Sequence, residues 1–387
     1  MDRRRFIATS GAALGTILAG CSGQADSGET STSTPTSTST TTESTSTTTE
    51  AAQSYSVMME PVGTVEFDAV PKTVAMYFPG YADMSVALGH ADAVASVGLP
   101  SRYHTDYYDQ LEGVSIDKSS LTTLYDGGVG KETFYSIGAD LHLIDPNWLL
   151  NNFKGWEQKD IDELVENQAP FLGNVIFRRT DKWHDYRYYT MYEAFEKVAQ
   201  VFQEQDRYQQ FASFHDDFIA GIQARLPGLD QRPNAALLWQ GKDKPESFYP
   251  YRLSGKGTNK KQFHDLGITD AFAETGLEGL STSERGTIDY ETLLEVDPDS
   301  ILLRGHETKT AQEFQNTVVA YMKNHEVASQ LTAVKKDQVF RGGPIYEGPI
   351  QNLFLTERFA KAYYPETFTE TELFARADVA AIVRGDV

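Results

Sequence analysis

From Tyr55 onward, short apolar runs alternate with stretches whose apolar residues recur every three or four positions, the pattern of strands interleaved with helices. Thr64-Val-Glu-Phe-Asp68 reads as a short amphipathic strand. Residues 72–78 form an apolar strand halted by Pro79-Gly80, and 81–88 a helix stopped at Gly89. Residues 93–99 are the next strand, closed by Pro100. Strand, helix and strand in this order build a parallel βαβ unit. A helix over 161–168 and a strand near 171–177 complete a first open sheet with helices on both faces.

Residues 189–226 change character. Tyr192, Phe195, Val198, Ala199, Phe202, Tyr208, Phe211, Phe214, Phe218 and Ile222 recur at three and four with one slip. This predicts one long helix, or two in close succession, ending at Pro227-Gly228. The strand pattern then restarts at 234–239, followed by a Gly- and Lys-rich loop and a short helix over 261–266. Helices over 311–322 and 326–331, a last strand at 338–341, a helix over 352–363 and a helical tail over 369–383 follow.

One unit occurs twice. Glu132-Thr-Phe-Tyr-Ser-Ile-Gly-Ala-Asp140 and Glu291-Thr-Leu-Leu-Glu-Val-Asp-Pro-Asp299 each run as a short helix, break at a turn and enter an apolar strand. The repeat predicts two similar α/β lobes rather than one large core, with a ligand cleft between them. The fold class is thus α/β, two open, Rossmann-like sheet lobes joined by a long linking helix. The lobes span 55–188 and 229–387, and the linker 189–228.

The N-terminus gives the address. Arg3-Arg4-Arg5-Phe6-Ile7 fits a twin-arginine export pattern, followed by an apolar stretch over 7–19. That stretch is shorter than the ~20 residues a membrane span needs. It closes at Leu18-Ala19-Gly20-Cys21, a lipobox-like end that implies cleavage after residue 20 and lipid attachment to Cys21. Cys21 is the only cysteine, so it has no internal disulfide partner. After Cys21, up to residue 54, the chain becomes almost wholly Ser, Thr, Glu and Gly, a composition that buries no core and predicts a disordered tether. The net charge is −21, from 55 acidic against 34 basic residues. It argues against a nucleic-acid partner and against pressing onto anionic lipid. It fits a surface kept soluble in high salt, as on a haloarchaeal lipoprotein, or an ordinary acidic exoprotein.

No cofactor or catalytic signature emerges. Gly127-Gly-Val-Gly130-Lys131 has neither the glycine offset nor the Ser/Thr of a phosphate loop. HExxH, GxSxG and CxxC are missing, and the eight histidines are scattered without ligand spacing; His142 falls inside a predicted strand and reads as structural.

Several ordered landmarks resemble the solute-binding lipoproteins of ABC importers for ferric siderophores, cobalamin and haem. They are Pro71-Lys72-Thr-Val-Ala, the stretch from Ala87-Leu88-Gly89 to Val97-Gly98, both Glu-to-Asp repeats, Leu331-Thr-Ala-Val334 to Val339-Phe340, and Ala360-Lys-Ala-Tyr-Tyr-Pro365-Glu366. The resemblance implies a rigid bilobal binding protein that hands its ligand to a permease dimer with ATPase subunits. It also implies that Glu132 and Glu291 dock the two lobes onto permease arginines.

In open α/β sheets ligands sit beyond the carboxyl ends of the strands. There the first lobe offers Tyr77, Tyr81, Arg102, Tyr103, Asn147 and Trp148. The second offers Trp239, Tyr249, Tyr251, Arg252, Arg285, Arg304 and Tyr346. Aromatic walls with guanidinium groups suit a bulky anionic chelate better than a bare ion. The expected ligand is a ferric siderophore, with cobalamin or another tetrapyrrole as the nearest alternative. A surface enzyme using the same cleft is the reading from another class.

Overall fold

The computed structural model describes residues 54–277, 280 and 286–387. The signal segment, Cys21, the tether to residue 53 and Arg285 lie outside them. The described chain opens with an antiparallel hairpin, β1 (Tyr55–Met59) and β2 (Gly63–Phe67), each alternating exposed and buried residues. The tyrosine hydroxyl of Tyr55 donates to the carbonyl of Val201 and ties the hairpin to the linker.

The first sheet is parallel and built of short pieces: β3 (Val74–Met76), β4 (Ser96–Val97), β5 (Thr122–Thr123) and β6 (Leu141–Leu143). β3 pairs with β6, β4 with β5, and single bridges at Val94 and Phe171 extend the row on either side. The stretch predicted as a strand at 171–177 is therefore extended chain with one bridge at its start. Helices α1 (Pro79–Ala87), α2 (Lys131–Ile137), α3 (Pro146–Asn152) and α4 (Gln158–Asn167) connect these pieces. His142 is fully buried between Phe134 and Phe171, and desolvation holds its imidazole down at about 4, a neutral packing residue.

The linker is two helices, α5 (Met191–Phe202) and α6 (Gln205–Gln223). Thr190 and Glu193 form a reciprocal capping box at the start of α5. The break falls at Gln203, whose left-handed backbone (φ 58°) ends α5. That left-handed residue is the one slip in the apolar spacing.

The second sheet holds β7 (Asn234–Trp239), β8 (Tyr249–Tyr251), β9 (Thr269–Asp270), β10 (Ser300–Arg304) and β11 (Val339–Arg341). β11, β10, β7 and β9 run parallel, while β8 joins the outer part of β7 antiparallel. Between and after these strands lie α7 (Lys261–Asp265), α8 (Tyr290–Val296), α9 (Ala311–Phe314), α10 (Ala320–Asn324) and α11 (Thr332–Lys335). A π-helical stretch, Gln315–Val319, joins α9 to α10, so the helix predicted over 311–322 is continuous but irregular. The one predicted over 326–331 is a 3-10 turn, Ala328–Gln330, leading into α11. The chain ends with α12 (Pro349–Tyr363) and α13 (Arg376–Arg384), the latter being the helical part of the tail.

The duplicated unit is real in structure: α2 leads to β6 and α8 to β10. Both helices end in a left-handed residue, Gly138 and Asp297. The closing aspartates do the same work in each. Asp140 accepts the backbone amides of Lys72 and Thr73 just before β3, and Asp299 accepts that of Asn234 at the start of β7. Each clamps the edge of the neighbouring parallel strand.

The core is not divided by lobe, contrary to the expectation from the repeat. One apolar cluster runs from β3 and α1 through α5 and α12 to Ala235, Leu237 and Leu302 on one face of the second sheet. Ala236, Leu238, Ile301 and Leu303 face the other way into a smaller cluster with Phe314, Val318 and Met322. Strands buried on both faces explain the unbroken apolar runs at 235–239 and 301–303. Polar contacts lock the same junction. Asp83 of α1 accepts the amides of Ile350 and Gln351 at the start of α12 and the hydroxyl of Tyr108. A side chain at Gly348 would begin 2.6 Å from both Asp83 Oδ2 and the Gly80 carbonyl, so only glycine admits this approach.

Candidate functional site

A cleft of about 520 Å³ opens between the two sheets. From the first half, Tyr77 follows β3, Leu99 and Arg102 follow β4, Tyr125 follows β5, and Trp148, Asn152 and Phe153 come from α3 and its end. Phe177 and Arg178 end the extended stretch after β6. From the second half come Trp239 at the end of β7, Tyr249 and Tyr251 of β8, and Ile345 and Tyr346 beyond β11. Asn259 and Lys260 complete this wall from a 3-10 turn, Thr258–Lys260. Most of these positions lie just past the carboxyl ends of parallel strands, where such sheets leave a crevice.

That 3-10 turn is pinned across the junction. The Thr258 amide donates to the Ile176 carbonyl at 3.1 Å. Gly257 adopts φ 151°, and a side chain there would meet the Phe177 carbonyl at 2.3 Å. Nine of the sixteen lining residues are aromatic, and they are packed against one another rather than loose. Trp148 sits 5.7 Å from both Tyr77 and Phe177, Phe177 lies 4.9 Å from Tyr346, and Trp239 lies 5.9 Å from Tyr249. These walls are rigid apolar surfaces with hydroxyl rims.

The charges in the cleft have one sign. Arg102, Arg178 and Lys260 line it, and no Asp or Glu does among the described residues. Arg102 is exposed, donates to the Tyr346 hydroxyl at 3.4 Å and has no carboxylate partner among the described residues. Arg178 stacks over Trp148 and Phe177 while its fork holds Asp181 at 2.7 and 2.8 Å. An annex of about 190 Å³ shares Arg102, Trp239 and Ile345 with the cleft and reaches His104 and Glu307. Burial would raise the Glu307 carboxyl, but the bidentate Arg358 outweighs it and holds the group at about 2, fully ionised and already paired.

Of the residues expected to meet ligand, Arg102, Trp148, Trp239, Tyr249 and Tyr346 line the cleft, together with Tyr77 and Tyr251. Four others turn away from it. Tyr81 is fully buried on α1 with its hydroxyl on the Asn174 backbone, because the first turn of α1 faces the lobe junction. Tyr103 is buried in a hydroxyl chain through Tyr108 to Asp83. Arg252 donates to the Phe272 carbonyl and stands 4.0 Å from Asp270. Arg304 is wholly buried, bonded to the carbonyls of Asn259 and Gly342 beneath the Tyr251 ring. Asn147 lies on another face, lining a groove beside the β1–β2 hairpin. Arg285 lies outside the described residues.

Sequence reasoning missed Tyr125, Asn152, Phe153, Phe177, Arg178, Asn259 and Lys260. Phe177 and Arg178 stood at the end of a predicted strand, so the rule that found Trp239 should have found them. Glu132 and Glu291 occupy matching places in the first turns of α2 and α8. Both are exposed, and neither has a hydrogen-bond or ion-pair partner among the described residues.

Two α/β sheets sharing a tied junction, with an aromatic and basic cleft between them, define a bilobal binding protein. Residues 74–346 match the model of the periplasmic binding protein family, and the chain belongs to that family. Among solved structures it is similar to the iron-uptake ABC transporter substrate-binding protein PiuA from Streptococcus pneumoniae, at 14% identity and TM-score 0.57, covering 80% of this chain and 99% of that one. It is similar to the petrobactin-binding protein YclQ from Bacillus subtilis at 13% identity and TM-score 0.55, covering 81% and 99%. A periplasmic binding protein from Veillonella parvula matches at 14% identity and TM-score 0.56, covering 81% and 98%. Likeness at these identities concerns the fold. A comparison with curated proteins found no match. Among the described residues no helix is long and apolar enough to cross a membrane.

Proposed function

We propose that this protein captures an anionic ferric chelate of the siderophore class in the cleft and delivers it to an ABC permease, anchored outside the cytoplasm by lipid on Cys21. One observation carries the reading. In a chain of net charge −21, the cleft is lined by three basic residues and, among the described residues, no acidic one. Such local inversion of sign concentrates an anionic ligand against the field of the whole protein. The aromatic walls add flat apolar area for the organic part of a chelate. Iron uptake by one structurally similar protein and petrobactin binding by another point the same way. Glu132 and Glu291, one exposed carboxylate on each half, are the proposed permease contacts.

A single experiment addresses anchor and cargo together. Cys21→Ser removes the only thiol, so the variant is expected in the soluble fraction with its fold intact. Mixed with ferric enterobactin, a trianionic ferric tricatecholate, and passed through a sizing column, it should retain iron. A variant still in the salt-washed membrane pellet refutes the anchor, and elution without iron refutes the cargo.

A further inference from the structure

Lys260 is an unusual lining residue. It is 2% exposed, and its ammonium has no hydrogen-bond partner among the described residues. Its neighbours supply little compensation. Arg304 of β10 is fully buried beside it, and its Nη1 also lacks a hydrogen-bond partner among the described residues. Asp270 of β9 is the nearby carboxylate, but it accepts from Ser254 and from the Phe272 amide and stands near Arg252 as well. Tyr251 of β8 lies over Arg304, and Glu347 accepts from Gln262 and Asn352 on the far side. Across the cleft are Arg102, Arg178 and the hydroxyls of Tyr77 and Tyr125, and on the same wall the hydroxyl of Tyr346; among the described residues no carboxylate lines the cleft. Among the described residues, two buried cations therefore share a wall whose nearby carboxylate, Asp270, is already engaged by Ser254, the Phe272 amide and Arg252, and the open side of that wall is the cleft.

Taking the cleft as the ligand site proposed above, we infer that Lys260 couples capture of an anionic ligand to uptake of a proton. A desolvated amine beside another cation favours its neutral form, and an anion brought within ~6 Å favours the charged one. The coupling needs no movement, because the low-dielectric wall transmits the field; the flexible four-carbon stem allows direct contact besides. Burial first, and then the charge of Arg304, hold the empty-state amine down at about 7. The sign follows. Below that value the lysine is already charged and binding is strongest. As pH rises through it, each binding event must also take up a proton, so affinity falls until the raised value of the bound state is passed.

The test is calorimetric titration of the full chain in detergent with ferric enterobactin, in two buffers of different ionisation enthalpy near pH 8. Wild type is expected to take up about one proton per chelate, and affinity should fall about twentyfold between about pH 6.5 and about pH 8.5, given an empty-state value of about 7. Lys260→Met, which keeps the apolar stem, should lose the proton uptake and flatten the profile. Lys260→Arg stays charged throughout and should also be flat while binding tightly, which covers the case of a Met variant that does not fold. The variants separate Lys260 from Asp83 and Glu347, which burial raises to about 7 and about 8. Chelate binding by wild type without proton uptake, or uptake that persists in either variant, overturns the inference. Absence of chelate binding at every pH refutes the cargo reading, and this inference falls with it.

Discussion

Replacing Glu132 and Glu291 together by arginine is expected to abolish uptake of the ferric chelate in cells while leaving its affinity in solution unchanged. Both carboxylates are exposed in the first turns of matching helices, one in each half of the molecule. Their contribution to stability is small. A carboxylate near a helix N-terminus is worth about 0.3–1 kcal/mol, and α8 is already capped by Asp289. If capping were their whole role, the double variant would be slightly less stable and would transport normally. Docking onto paired basic sites predicts something different, because like-charge juxtaposition across an interface costs several kcal/mol and suppresses the encounter itself. The readout is chelate uptake by cells expressing the variant, beside its affinity in solution. Normal uptake by a folded, correctly exported double variant would refute docking and favour a surface enzyme using the same cleft.

The second large effect belongs to the cleft. Arg102→Ala with Arg178→Ala should weaken binding of ferric enterobactin by about a hundredfold or more, since removing one partner of a charge pair buried on binding costs about 2–5 kcal/mol. Arg102 carries more of this, because Arg178 already shares its charge with Asp181. A neutral chelate such as ferrichrome should lose far less, which separates lost charge from a damaged pocket. Equal affinity for the trianion in wild type and the double variant would remove the charge argument.

The strands of the second sheet and the repeat were legible because burial on both faces forces unbroken apolar runs, and because Asp140 and Asp299 must each cap a neighbouring strand. The apolar cluster shared by both sheets was not. Whether α1, α5 and α12 knit two sheets together depends on close approaches such as Gly348 against Asp83, which no periodicity reports. The same limit explains the cleft. The ends of the strands at 234–239 and 338–341 were placed correctly, so Trp239 and Tyr346 were found, but position does not give direction. Arg304 ends β10 and turns beneath the wall instead of through it. Lys260 read as an ordinary loop lysine, because its burial arises from Gly257 docking on Phe177 in the other half. The apolar spacing of the linker carried its own break at Gln203, visible as the one slip.

The central claim is that the cleft between Arg102 and Lys260 holds a ferric chelate. Crystals grown with ferric enterobactin and measured at the iron absorption edge test it most directly. The account predicts one strong anomalous peak between Trp148 and Trp239, with chelate oxygens facing Arg102 and Arg178. An iron peak elsewhere on the protein, or a cleft without iron in crystals of the saturated complex, would contradict it.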